Sequence, residues 1–176
     1  MEVGSRTKYI LLTVGVLLGM APSRIVYAGE FQQRGSKPEQ ALAIVVNRSN
    51  SIDNLSSAEL RKIFLGKRSR WPNGRRITVA MLDYGEPERK AVLRQVYRMD
   101  EDGYRDYFLK EVYRGDVFAA PKTLESSVVM QKFVFNAPGA IGYLRSSDVD
   151  SSVKVLRIDG RLPDDKDYTL LIDEPL

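Results

Sequence analysis

The chain contains neither histidine nor cysteine. Ser-His and Cys-His nucleophilic catalysis are thereby excluded, along with most transition-metal ligand sets and any disulfide framework. Hydrogen bonding and charge are what remain. Uncharged donors gather twice: Asn47, Ser49 and Asn50 follow an apolar run, and Ser126 and Ser127 precede a helical pattern. Amides and hydroxyls just past a strand, or at a helix start, can hold a small anion or solute without reacting with it. Turns and helix caps require the same residue types, so both readings stand. No motif points to a nucleophile–base pair or a metal site. The expectation is a non-enzymatic protein with no cofactor and no metal.

The elements that must position these donors are organised around residues 55–83. Ser56 and Glu59 have capping-box spacing, and Leu55 with Leu60 is placed as a hydrophobic staple. Leu60, Ile63 and Phe64 form the apolar stripe of a short helix, and Gly66 suits the left-handed position past its end. Trp71-Pro72-Asn73-Gly74 is a turn, and Ile77 to Leu82 reads as a strand buried on both faces. Upstream, Ala41 to Asn47 reads as a central parallel strand. Its carboxyl end carries the Arg48–Asn54 loop, where open α/β sheets place ligand groups.

Downstream, Pro87 opens a second helix with Val92, Leu93, Val96 and Tyr97 buried. Asp100 and Asp102 open a third, with Tyr104, Tyr107, Phe108 and Glu111 on one side. Gly115 to Thr123 reads as a loop. Ser126 or Ser127 caps a fourth helix facing inward with Val129, Phe133 and Val134, which stops at Asn136-Ala137-Pro138-Gly139. Ala140–Leu144 and Val153–Ile158 read as strands, Asp164–Asp167 as an acidic turn, and Tyr168–Ile172 as a final edge strand.

Residues 1–28 form an export leader by pattern: Arg6 and Lys8, then apolar Tyr9 to Met20, then Val26-Tyr27-Ala28. Cleavage after Ala28 is expected, followed by a flexible lead-in over 29–40. Losing Arg6, Lys8, Arg24 and Glu2 lowers the formal net charge from +4 to +2. An exported protein has little occasion to meet nucleic acid, so none is expected as a partner. Contact with a membrane is expected only through an uncleaved leader. Arg61, Lys62, Lys67, Arg68, Arg70, Arg75 and Arg76 make a dense basic stretch. Such a stretch fits a solvated face, an anionic partner or membrane surface, or ligand attraction.

Two motifs carry a family resemblance. Leu55-Ser56-x-x-Glu59-Leu60, Ile63-Phe64-x-Gly66 and Trp71 resemble the periplasmic substrate-binding proteins of phosphate ABC transporters. So does Asn136-Ala137-Pro138-Gly139-Ala140-Ile141-Gly142-Tyr143, and Tyr113-Arg114-Gly115 with Pro121 is similar to the segment between them. The resemblance spans about residues 42 to 158 and is similar to a short subgroup of that family. It implies an α/β domain: one lobe of a periplasmic-binding-protein-like fold over 41–176, with a mixed, mainly parallel sheet of about five strands flanked by helices. In the full-length family a Gly-x-Gly-Ser loop precedes the part matching residue 42, and only Gly29 to Ala41 stands there. The family's second phosphate motif, Arg-x-x-x-Ser-Gly-Thr, corresponds in place to Asp83-Tyr84-Gly85-Glu86-Pro87-Glu88. Acids replace the cation and hydroxyls, and Pro87 removes an amide donor.

The resemblance implies a periplasmic, non-enzymatic solute-binding protein linked to phosphate or anion uptake. The alternative is a periplasmic interaction or sensory module that has lost phosphate binding. A small anion or an envelope protein is the expected partner, and self-association is left open.

Overall fold

The computed structural model describes residues 41–173; the leader expected over 1–28 and the lead-in over 29–40 lie outside them. Residues Ala41 to Val46 have no exposed surface, because strand β1 (Leu42–Asn47) runs through the middle of a five-stranded sheet. The other strands of that sheet are β3 (Thr78–Leu82), β4 (Lys122–Leu124), β5 (Ala140–Arg145) and β6 (Val153–Val155). Their order is β4-β3-β5-β1-β6. β3 pairs in parallel with β4 and β5, whereas β1 pairs antiparallel with both β5 and β6. Four strands therefore share one direction and β1 alone opposes them: a mixed, mainly parallel sheet, as expected.

The direction of β1 corrects the sequence reading, which made it parallel. An unbroken apolar run reports burial on both faces, and a strand in the middle of a covered sheet is buried whichever way it runs. A second correction concerns the end of the loop read over Gly115 to Thr123: Lys122 and Thr123 join Leu124 in the edge strand β4, and being exposed they carry no apolar signal. Residues Tyr168–Ile172 show strand-like alternation but make only one antiparallel bridge, Ala41 to Leu171. The loop read over Arg48–Asn54 ends in a two-residue strand, β2 (Asn54–Leu55), parallel to β7 (Arg157–Ile158).

The first helix, α1 (Ser57–Phe64), carries the expected capping box. The Glu59 amide donates to Ser56 Oγ at 3.2 Å, and the Ser56 amide donates to Glu59 Oε2 at 3.0 Å. After it Gly66 stands at φ +72°, where a Cβ would sit 2.7 Å from Val117 Cγ1, so both conformation and space call for glycine. The two motif segments touch: the buried Trp71 indole donates to the Gly139 carbonyl at 3.0 Å. Gly139 itself lies so near the Arg76 carbonyl oxygen that a Cβ would come within 2.1 Å of it. These motif residues are thus explained by packing.

Helix α2 (Pro87–Val92) passes into a π-helical turn, Leu93–Tyr97, which ends at Arg98 with φ 59°. Leu93, Val96 and Tyr97 are all buried there. Helix α3 (Glu101–Arg114) is capped by Asp100, and α4 (Ser127–Asn136) by Ser126. Tyr97 is fully buried and meets Phe64, Tyr104 and Phe108 edge-on, at centroid distances of 5.7, 5.1 and 6.1 Å.

Burial raises the phenol pKa of Tyr97, Tyr143 and Tyr168, and pushes that of Tyr104 up to about 12. The folded state therefore holds these protons more tightly than the unfolded chain, whose tyrosines titrate near 10. Stability is fully present below about pH 10 and falls as pH rises from there through the folded values. Urea midpoints measured across this range should drop as tyrosinate absorbance grows. A flat midpoint up to about pH 12 would show the tyrosines to be accessible in the folded protein.

Candidate functional site

Candidate donors gather at two edges of the sheet. Because β1 opposes its neighbours, its carboxyl end lies beside the amino ends of β3 and β5: Val46 pairs with Ile141, and Thr78 with Ala140. Asn47, Ser49 and Asn50 therefore occupy the amino edge of the parallel strands. Ser126 and Ser127 follow β4, whose Leu124 pairs with Leu82 at the carboxyl edge. The two groups of candidate donors thus stand at opposite ends of α4, a helix of ten residues and roughly 15 Å. No single site contains both.

At the amino edge, Asn47 is buried and its hydrogen-bonding capacity is used within the protein. Its Nδ2 donates to the Val134 carbonyl at 3.0 Å and the Phe135 carbonyl at 2.5 Å, near the C-terminus of α4. Its Oδ1 accepts from the Ser49 amide at 2.9 Å and from Ser49 Oγ at 2.7 Å. A neutral asparagine offers two donor hydrogens and two acceptor lone pairs, and all four are engaged. Ser49 Oγ also accepts from Arg75 Nη1 at 3.3 Å. Asn50 is buried; its Oδ1 accepts from the Ile52 amide at 2.9 Å, while its Nδ2 meets no partner. Arg70 and Arg76 are bridged near this edge, and the basic stretch from Arg61 to Arg76 is exposed or half-exposed throughout.

The carboxyl edge carries a cluster that the sequence reading did not assemble. Arg145, the last residue of β5, donates through Nε to Glu88 Oε1 at 2.9 Å, and its Nη2 lies 2.9 Å from the same oxygen. Arg89 makes a fork with Glu101: Nε to Oε1 at 2.6 Å and Nη2 to Oε2 at 2.9 Å. Arg89 Nη1 donates to the Leu82 carbonyl at 2.8 Å, and its guanidinium lies 5.0 Å from the centre of the Tyr104 ring. The Leu82 amide donates to the Tyr143 hydroxyl at 2.9 Å. Glu88 and Arg89 are only 8% and 7% exposed, so these are desolvated charges that need their partners. Hydrogen bonding to Glu101 raises the Arg89 pKa further.

Asp83, Tyr84 and Gly85 close the edge as an exposed loop, and Glu86 stands as the N-cap of α2 without a side-chain cap bond. Pro87 occupies the first helical position and leaves no amide there. Ser126 Oγ accepts from the Val129 amide at 3.3 Å, the capping role its residue type allowed. Of the acids noted in sequence, Glu88 faces Arg145 instead of solvent. The signal available for this cluster was a Glu-Arg pair opening one helix and an arginine closing the strand after the Gly-Tyr motif. Among the described residues, no group of three or more acids is placed to hold a metal ion.

No protein-family model matches the chain. By fold it resembles phosphate receptors. An ABC-type phosphate transport receptor from Vibrio cholerae superposes with a TM-score of 0.58 at 22% identity, covering 70% of this chain and 48% of that one. PstS from Borrelia burgdorferi superposes with a TM-score of 0.57 at 15% identity, covering 76% and 55%. In sequence, the phosphate-binding protein PstS of Bacillus subtilis is 35% identical over 126 residues, 71% of this chain and 38% of that protein. The chain thus spans well under half the length of that relative. It is an α/β protein similar in fold to phosphate receptors and similar in sequence to PstS over the stretch they share.

Asn47 ties β1 to the end of α4. Asn47→Ala should lower stability by about 1–3 kcal/mol, because buried carbonyls lose their donors. Asn47→Asp should cost more, since it puts a carboxylate against helix C-terminal carbonyls. Urea unfolding of both variants checks this. An unchanged midpoint in either would return Asn47 to the pool of ligand donors.

Proposed function

We propose that this protein is an exported, non-enzymatic, periplasmic relative of the phosphate receptors whose described lobe does not hold phosphate at its carboxyl edge. Its contribution to phosphate or anion uptake is made through contact with another protein surface. One observation carries the reading: both arginines at the edge where the resemblance places phosphate are already neutralised, Arg145 by Glu88 and Arg89 by Glu101. An anion that displaces Glu88 from Arg145 leaves a buried carboxylate unpaired, at a cost of about 3–5 kcal/mol. That is about two to nearly four decades of affinity, before Asp83 and Glu86 add their repulsion.

The relation to PstS supports a link with uptake, and the export pattern supports the periplasm. A large apolar groove beside α3 supports recognition of a protein. It measures about 1290 Å³ and is rimmed by Tyr84, Leu109, Tyr113 and Phe118, all mostly exposed. Small-solute pockets are usually smaller and more enclosed.

Isothermal titration of the purified protein with inorganic phosphate tests the reading. No saturable heat is expected below about 1 mM. A micromolar dissociation constant would overturn it and return the protein to the solute-carrying role of the first expectation.

A further inference from the structure

The outer face of α3 is unusual in two independent respects. Leu109 and Tyr113 are 72% and 91% exposed and stand one turn apart. They form an apolar crest between the large groove and a smaller one lined by Asp106, Leu109, Lys110 and Tyr113. Beside this crest, Asp102, Asp106, Lys110 and Arg114 stand at i, i+4, i+8 and i+12, a single exposed ridge of two acids followed by two bases. Arg105 reaches Asp102 at 3.1 Å and Asp106 at 3.7 Å, whereas Lys110 and Arg114 have no ion pair among the described residues.

We propose that the chain forms a two-fold dimer in which α3 packs antiparallel against α3 of a second copy. This names the partner of the protein-contact role proposed above and rests on that role. Turned end for end, the ridge is its own complement. One axis, opposite position 108, sets Asp106 against Lys110 and Asp102 against Arg114 of the other copy. Each pair occurs twice, as two-fold symmetry requires. Leu109, near the axis, and Tyr113, farther along the same side, then leave water beside the charged ridge, so that apolar area is buried next to the ion pairs. Acids first and bases last also suit the dipole of a lone helix. The dipole, however, gives no reason for a leucine and a tyrosine in the middle of a solvated face.

Sedimentation velocity of the whole protein as expressed tests this. Wild type should show a concentration-dependent dimer with micromolar dissociation. Asp106→Lys alone, or Lys110→Asp alone, places like charges across the interface twice and should weaken the dimer by about tenfold. The double variant Asp106→Lys/Lys110→Asp reverses both partners and should restore it, although it opposes the helix dipole. Leu109→Asp should abolish the dimer while leaving the urea midpoint in place, since Leu109 is exposed. A wild type that stays monomeric at about 100 µM, or a double variant no better than the singles, would overturn the proposal. Neither outcome depends on phosphate, so titration with that anion judges the earlier reading separately.

Discussion

A buried arginine, Arg89, and a half-buried one, Arg145, at one edge of a sheet each take a carboxylate, and this chain supplies both from its own second and third helices. Around that requirement the carboxyl edge takes its form. Glu101 anchors the start of α3 to Arg89, and Arg89 ties α2 to the last carbonyl of β3. Glu88 ties the first turn of α2 to the end of β5 through Arg145. The edge that related receptors resemble in fold is thereby cross-linked by charge. A site for an external anion needs donors with unmet demand; here the demand is met internally, and the loop above it is acidic.

The opposite edge is governed by the direction of β1. Its antiparallel course sends Asn47 to the C-terminus of α4, where the side chain satisfies helix carbonyls that would otherwise be buried without donors. That one reversal separates the two groups of candidate donors. Of the basic residues between Arg61 and Arg76, Arg75 reaches Ser49 at this edge, whereas Arg76 stacks on Phe118 at 4.0 Å.

Much of the fold was legible because its signals are short in range. The Ser56–Glu59 capping box, the stop at Asn136–Gly139 and the cap at Ser126 each depend on a few neighbouring residues, and each stands where the residues imply. Strand direction was not legible. The apolar run Leu42–Val46 reports burial alone, and the direction is set by β5 and β6, about a hundred residues away. β4 was hidden for the converse reason, being an edge strand with two exposed residues. At the site, the acids of residues 83–88 could be read as hostile to phosphate. That Glu88 meets Arg145 could not, since that contact spans 57 residues and depends on strand order. The π-helical turn at 93–97 likewise left no periodic signature distinct from an α-helix.

The most direct measurement follows the two arginines themselves. Side-chain Nε–Hε resonances of Arg89 and Arg145, recorded by nuclear magnetic resonance while inorganic phosphate is raised to about 10 mM, report whether either guanidinium exchanges its carboxylate for the anion. With Glu88 and Glu101 in place, both resonances should stay protected from water and unmoved, apart from a linear drift with salt. A saturable shift at either arginine, with a midpoint in the micromolar range, would contradict the closed edge.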